Sequence, residues 1–244
     1  MCAINGTVRA IPFKVLVVWV LGCFITYGQE SGSDGGKAEF FHEIEVGKLI
    51  VENEQWTLDV TASWKHLYAD EAAWRRWGGV FSAKRKHGNW SFMAGMANYY
   101  TFHADIDNFF QLRPWVAIGL KTPITERLDF VQRFRPESLT FIYSGTTEND
   151  TYSRWRYRLG LDYNLSEDEE TLTAWKIQGS LEWYFLKNPS SGERYPITRE
   201  YTLKLVREMV NGHEIGFGYR LEEFYESAHH EGGPGHTLIL EYRW

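Results

Sequence analysis

Two stretches decide the fold: Arg127-Leu-Asp-Phe-Val-Gln-Arg-Phe-Arg-Pro-Glu137 and Ser153-Arg-Trp-Arg-Tyr-Arg-Leu-Gly-Leu-Asp-Tyr-Asn-Leu165. In the second, Arg154, Arg156, Arg158, Gly160, Asp162 and Asn164 share one parity. Trp155, Tyr157, Leu159, Leu161, Tyr163 and Leu165 share the other. A period of two sustained over such a length puts the two sets on opposite faces of a β-strand. One face is apolar and aromatic, and the other carries three arginines in succession. A soluble sheet buries the apolar face, whereas a membrane barrel turns it to lipid and encloses the polar one.

Outward from this centre the chain reads as strands throughout. Phe40 to Val46 alternates within a segment that reaches Glu52, and Trp56 to Trp64 alternates without a fault. Trp77 to Lys86, Trp90 to Phe102 and Phe109 to Lys121 follow, the second of these with ambiguous parity. Beyond the centre, Thr173 to Leu186 sets Trp175, Ile177, Leu181, Trp183 and Phe185 against Lys176, Gln178, Ser180 and Glu182. Tyr201, Leu203 and Leu205 oppose Glu200, Thr202 and Lys204, and past Asn211-Gly212 the residues Ile215, Phe217, Tyr219 and Leu221 oppose Glu214, Arg220 and Glu222. Asn-Gly is a hairpin signal because both residues tolerate positive φ. His236 to Trp244 closes the chain with Leu238, Leu240, Tyr242 and Trp244 on one side.

Connections alternate in length. Those at Ile142–Thr151, Lys187–Arg194 and Glu226–Gly235 are long and polar, and those at Thr122–Thr125, Ser166–Glu170 and Asn211-Gly212 are short. Long loops at one end and tight turns at the other is the outer-membrane arrangement. The apolar faces of the last seven strands carry no central Lys, Arg, Asp or Glu, with Gln132 the one polar intruder. A cation at the midplane of a lipid face costs ~2–4 kcal/mol, so clean faces are what a membrane barrel requires. Aromatics at strand ends, among them Trp155, Tyr163, Trp175, Trp183 and Tyr242, suit interfacial girdles.

The first 28 residues differ from the rest: Arg9 and Lys14 precede an apolar run from Val15 to Ile25, followed by Thr26-Tyr27-Gly28. That is the pattern of a cleaved secretory signal peptide, and the apolar run is too short for a membrane-spanning helix, which needs ~20 residues. Cleavage removes two cations and no acids, taking the net charge from −6 to −8. It also removes Cys2 and Cys23, leaving no disulfide or thiolate metal site. Lipidation at Cys23 is the alternative at this end, since Val20-Leu-Gly-Cys23 loosely resembles a lipoprotein cleavage box. A net negative chain offers no electrostatic footprint for nucleic acid. The expected organisation is therefore a signal peptide over 1–28, a Gly/Ser-rich flexible leader over 29–39 and a barrel over 40–244. The fold class expected is all-β, an antiparallel transmembrane up-and-down β-barrel of about 10–12 strands. Eleven strands can be counted along the chain. An even number is nevertheless expected when both chain ends lie in the periplasm, which favours ten or, slightly more, twelve.

The ending Leu238-Ile-Leu-Glu-Tyr-Arg-Trp244 resembles the C-terminal assembly signal of bacterial outer-membrane barrels, carried here by Leu240, Tyr242 and Trp244. Leu112-Arg-Pro-Trp115, Arg133-Phe-Arg-Pro-Glu137 and Arg154-Trp-Arg-Tyr-Arg158 together resemble a family of uncharacterised outer-membrane barrel proteins of Gram-negative bacteria. Pro136 stands where that family usually has Leu. The resemblance implies a fold, an outer-membrane location reached through the general secretory pathway, and two partners, the lipid itself and the barrel-assembly machinery. It implies no activity.

With the apolar parity outward, the lumen has a basic wall of Arg113, Arg133, Arg135, Arg154, Arg156 and Arg158. Opposite it stands an acidic wall of Glu43, Glu45, Asp59, Glu200, Glu208, Glu214, Glu222 and Glu241, accompanied by Lys204, Arg220 and Arg243. Such charge can select solutes in a narrow or gated channel. It can also pair and fill the interior, giving a structural or ligand-binding barrel, and the cost of unpaired buried charge favours this second outcome. An enzyme is not expected. No histidine begins the His-x-Ser pair of barrel lipases and deacylases, and Asp105-Ile-Asp107 lacks the Asp-x-His partner of outer-membrane proteases. His229-His230-Glu231 with His236 has metal-ligating chemistry but no second constellation, so no metal or cofactor is expected.

Overall fold

The computed structural model describes residues 38–68, 74–104, 107–168, 173–186, 196–227 and 230–244. The expected signal peptide, with Cys23, and nearly all of the expected leader lie outside them. Eleven strands form one closed sheet: β1 (Glu39–Glu52), β2 (Trp56–Tyr68), β3 (Arg75–His87), β4 (Trp90–Phe102), β5 (Phe109–Pro123), β6 (Leu128–Tyr143), β7 (Asp150–Asp168), β8 (Thr173–Leu186), β9 (Pro196–Glu208), β10 (Glu214–Ser227) and β11 (His230–Arg243). Each pairs antiparallel with its neighbour in sequence, and the ring closes between β1 and β11.

That closing pair is parallel, running from Glu39 beside Gly235 to Gly47 beside Arg243. Backbone bonds continue it past the last strand residue: the Leu49 amide donates to Trp244 at 2.8 Å, and the Trp244 amide donates to Gly47 at 3.1 Å. The expectation of an even strand number is therefore corrected to eleven. Parallel closure removes the parity requirement, because a strand running the same way as its neighbour can seal the ring as well as an opposed one. The consequence is that β1 starts at the end of the barrel where β11 starts, the end that also carries the 103–108 and 144–149 connections.

Turn chemistry follows the sequence. Gly212, at φ 76°, completes the β9–β10 turn, where its amide donates to Met209. The loop expected at Glu226–Gly235 is largely replaced by strand, since β10 and β11 pair out to Ser227 and His230.

Alternation then sorts side chains. Inward positions are buried or half-buried, while the outer face shows Trp155, Phe185, Phe217, Leu238, Trp77 and Val116 among its most exposed residues. Among the described residues, charges on the outward parity occur only near strand ends, at Lys48, Arg75, Arg85, Arg199, Arg207 and Glu223. Gln132, like His42, His66 and Asn98 a polar residue on this face, accepts a hydrogen bond from the Tyr157 hydroxyl at 2.8 Å.

The ambiguous strand β4 is resolved by packing. Ala97, Tyr99 and Thr101 point inward, and the inward Gly95 makes room for the indole of Trp115. A Cβ at Gly95 would lie 2.4 Å from that ring and 2.6 Å from the Phe81 carbonyl oxygen. Two apolar clusters also occupy the inside near the β1 start: Phe41 with Leu67 and Trp74, and Phe109 with Leu139 and Phe141. Gly95→Ala should lower stability by about 1–3 kcal/mol through overpacking. Gly179→Ala, with nothing within 4 Å of its added carbon, should stay within about 0.5 kcal/mol of the parent. Urea midpoints of the folded gel band in detergent check the pair.

Candidate functional site

The inward faces of β6 to β8 bring Arg133, Arg135, Glu137, Arg154, Arg156, Arg158, Glu182 and Tyr184 together on three successive rungs of the lumen wall. Arg154 is 1 % exposed and Glu182 also 1 %. Charges so buried must be paired and hydrogen-bonded, or their desolvation goes uncompensated. They are. Glu137 accepts from Arg154 Nε at 2.6 Å and pairs with Arg135 at 2.9 Å and Arg156 at 3.7 Å. Glu182 takes Arg156 at 2.5 Å, Arg158 at 2.8 Å and Arg133 at 3.1 Å. Arg133 and Glu182 sit on β6 and β8, so this pair reaches over β7.

From β8 the network continues around the ring. The guanidinium carbons of Arg154 and Arg156 each lie 4.7 Å from the Tyr184 ring centroid, and the Tyr184 hydroxyl donates to Glu200 at 2.6 Å. Glu200 lies 3.7 Å from Arg158 and 3.6 Å from Arg220. Arg220 reaches over β11 to Glu43 at 2.7 Å and to Glu45 at 3.7 Å. Lys204 pairs with Glu241 at 2.8 Å and approaches Glu45 at 3.8 Å. Arg243 pairs with Glu241 at 2.9 Å and Glu214 at 3.8 Å. Lys65 of β2 pairs with Glu222 of β10, with β1 and β11 between them.

The arginines expected as a basic wall thus do not face the acids across an open bore. Most of them pair with Glu137 and Glu182, which stand among them. Glu182 was visible on the polar parity of its strand but is missing from the wall residues named from sequence, as is Tyr184. Nothing local marks Glu182 as the partner of Arg133 two strands away, or Tyr184 as a donor to Glu200. Arg135 also stacks on Trp115, with 4.2 Å to the ring centroid. Asp59 lies apart from this network and accepts from Ser82 at 2.5 Å. Glu208 pairs with Lys176 at 2.6 Å near the short-turn end, in a half-exposed position.

The C-terminal residues Leu240, Tyr242 and Trp244 face outward along the closing seam. Tyr242 stacks on Trp244 at 5.7 Å, and its hydroxyl lies 2.6 Å from His213 Nδ1. At the opposite end Asp107 bridges two loops. It accepts from the Thr147 hydroxyl at 2.8 Å and the Thr147 amide at 3.1 Å, and these bonds hold its carboxyl below the ordinary value. Asp105 and His229, and the side chains of His230 and Glu231, lie outside the described residues. His236 is described on the outer face, 2.6 Å from the Tyr219 hydroxyl.

No family model matches the chain, and no curated protein matches it. Among solved structures, the β domain of the Bordetella autotransporter BrkA is similar over 77 % of this chain and 83 % of its own, at 8 % identity and a TM-score of 0.45. The all-β closed barrel rests on the strand pairing described above.

Glu182→Gln removes the buried charge shared by Arg156, Arg158 and Arg133 and should cost about 3–5 kcal/mol. Glu208→Gln breaks a half-exposed pair and should cost no more than about 1 kcal/mol. Equal losses in the two variants, measured as unfolding midpoints, would contradict the central place given to Glu182.

Proposed function

We propose that this chain is an integral outer-membrane β-barrel whose interior is sealed by paired charge, a structural or ligand-binding barrel rather than an open pore for small polar solutes or ions. The membrane placement is supported by the outer face, where charges stay near the strand ends and aromatics gather. A soluble barrel would expose this apolar surface to water at a cost of roughly 25 cal/mol per Å². Export through the general secretory pathway and insertion by the barrel-assembly machinery belong to the same proposal, as does membership of the uncharacterised Gram-negative barrel family. No hydrolytic chemistry is assigned.

One observation carries the sealed interior: three arginines from two strands converge on Glu182, which is 1 % exposed. In a water-filled channel, wall charges are solvated and point along the bore. Here they bridge strands that are not neighbours, with apolar clusters at the same end as the β1 start. Barrels of this size are generally filled by side chains, and a clear aqueous channel is expected only at ~16 strands. Purified protein, shown to be folded by its altered mobility on an unheated gel, should give no steady conductance steps in planar bilayers. Ohmic steps of constant size from the wild-type chain would contradict the proposal.

A further inference from the structure

We propose that the barrel interior holds a binding site for a small free oxyanion, built by Arg113 and Arg76, both of which pack against Tyr99. This deepens the reading of a sealed interior by naming what the remaining space would take. It stands on the distribution of charge around the ring. The acids on the seam side are all engaged by cations: Glu43, Glu45 and Glu200 by Arg220, and Glu222 by Lys65. Glu137 and Glu182 are likewise engaged by the arginines of β6 and β7. On the arc formed by β3 to β5 the balance fails. Among the described residues, neither Arg76 nor Arg113 has a carboxylate within ion-pairing distance.

Arg113 is 7 % exposed. Its Nη2 donates to Gln111 at 2.7 Å, while its Nε is buried with no hydrogen-bond partner among the described residues. The guanidinium carbons of Arg113 and Arg76 lie 5.0 Å and 4.8 Å from the Tyr99 ring centroid. Gly78 leaves the space that this ring fills, since a Cβ there would come within 2.4 Å of it. A cavity of about 130 Å³ opens beside these three residues, and its lining sets six guanidinium groups against four carboxylates, Glu43, Glu45, Glu200 and Glu222. That space holds several waters or a single phosphate- or sulfate-sized ion. Guanidinium forks match such oxyanions bidentately, and an anion there gives a direct partner to two cations that no described carboxylate pairs within 4 Å. Because the cavity lies inside the ring, the ligand is a free ion rather than a headgroup carried on acyl chains.

The full chain, folded in detergent micelles, is titrated with sodium sulfate, sodium phosphate and sodium chloride at matched ionic strength. Binding is followed by calorimetry and by the unfolding midpoint. The proposal expects saturable binding of sulfate or phosphate with a rising midpoint, weakened roughly tenfold or more in Arg113→Gln and in Arg76→Gln. Neither substitution strands a carboxylate, so both variants should keep the folded gel mobility. Should Arg113→Gln not fold, Arg76→Gln, which is only half-buried, decides alone. A non-saturating rise shared by wild type and variants is general salt exclusion and would overturn the site. Saturable binding unchanged in the variants would overturn it too. Conductance steps would instead overturn the sealed lumen, so the two failures are told apart by separate measurements.

Discussion

The interior of this barrel depends on β1 lying parallel to β11. That pairing closes the sheet, so that no edge strand is left with unsatisfied backbone groups, which hydrocarbon would not tolerate. It also places Glu43 and Glu45 of β1 two strands from Arg220 and Lys65 of β2 three strands from Glu222, within reach across the curved inner face. Without the seam, Arg220 would keep only Glu200 among these partners, and Glu222 would lose its ammonium. Closure of the backbone and neutralisation of the lumen are therefore one event.

The rest of the girdle obeys the same constraint. Buried ions are tolerated when they are paired and hydrogen-bonded, and breaking such a pair costs more than making it returns. Glu137 and Glu182 each serve several arginines, and Tyr184 joins them to Glu200 through its hydroxyl. Sharing of this kind couples β6 through β10 by their side chains as well as by their ladders. The β3 to β5 arc is built differently. Two of its inward aromatics, Tyr99 and Trp115, carry arginines over their rings, and Gly78 and Gly95 are small so that those rings fit.

The alternation of β7, β8, β10 and β11 was legible because each strand keeps large apolar residues on one parity and charge on the other. Strand β4 was not, because Met93, Ala94, Gly95, Met96 and Ala97 put small or apolar residues on both faces; the partner ring of Trp115 decides which is inside. The odd strand number was discounted on topological grounds, and a parallel seam leaves no trace in the alternation of any single strand. The arginines of the lumen could be named from parity alone. Their partners could not, since parity says which residues point inward but not which of them meet across intervening strands. The inward cluster of Phe41, Leu67 and Trp74 was hidden for a related reason: a polar lumen is a tendency of the whole face, and these three interrupt it only near one end.

The seam itself offers the most direct test. Ile44 of β1 and Leu240 of β11 are paired on the outer face, and strands ~4.8 Å apart bring paired positions within disulfide reach. With Cys2 and Cys23 replaced by Ser, Ile44→Cys combined with Leu240→Cys should form an intramolecular disulfide under mild oxidation of the folded protein. If position 240 instead cross-links to a β2 position such as Val60, with 44 left free, then β1 is not part of the ring and the eleven-strand closure is wrong.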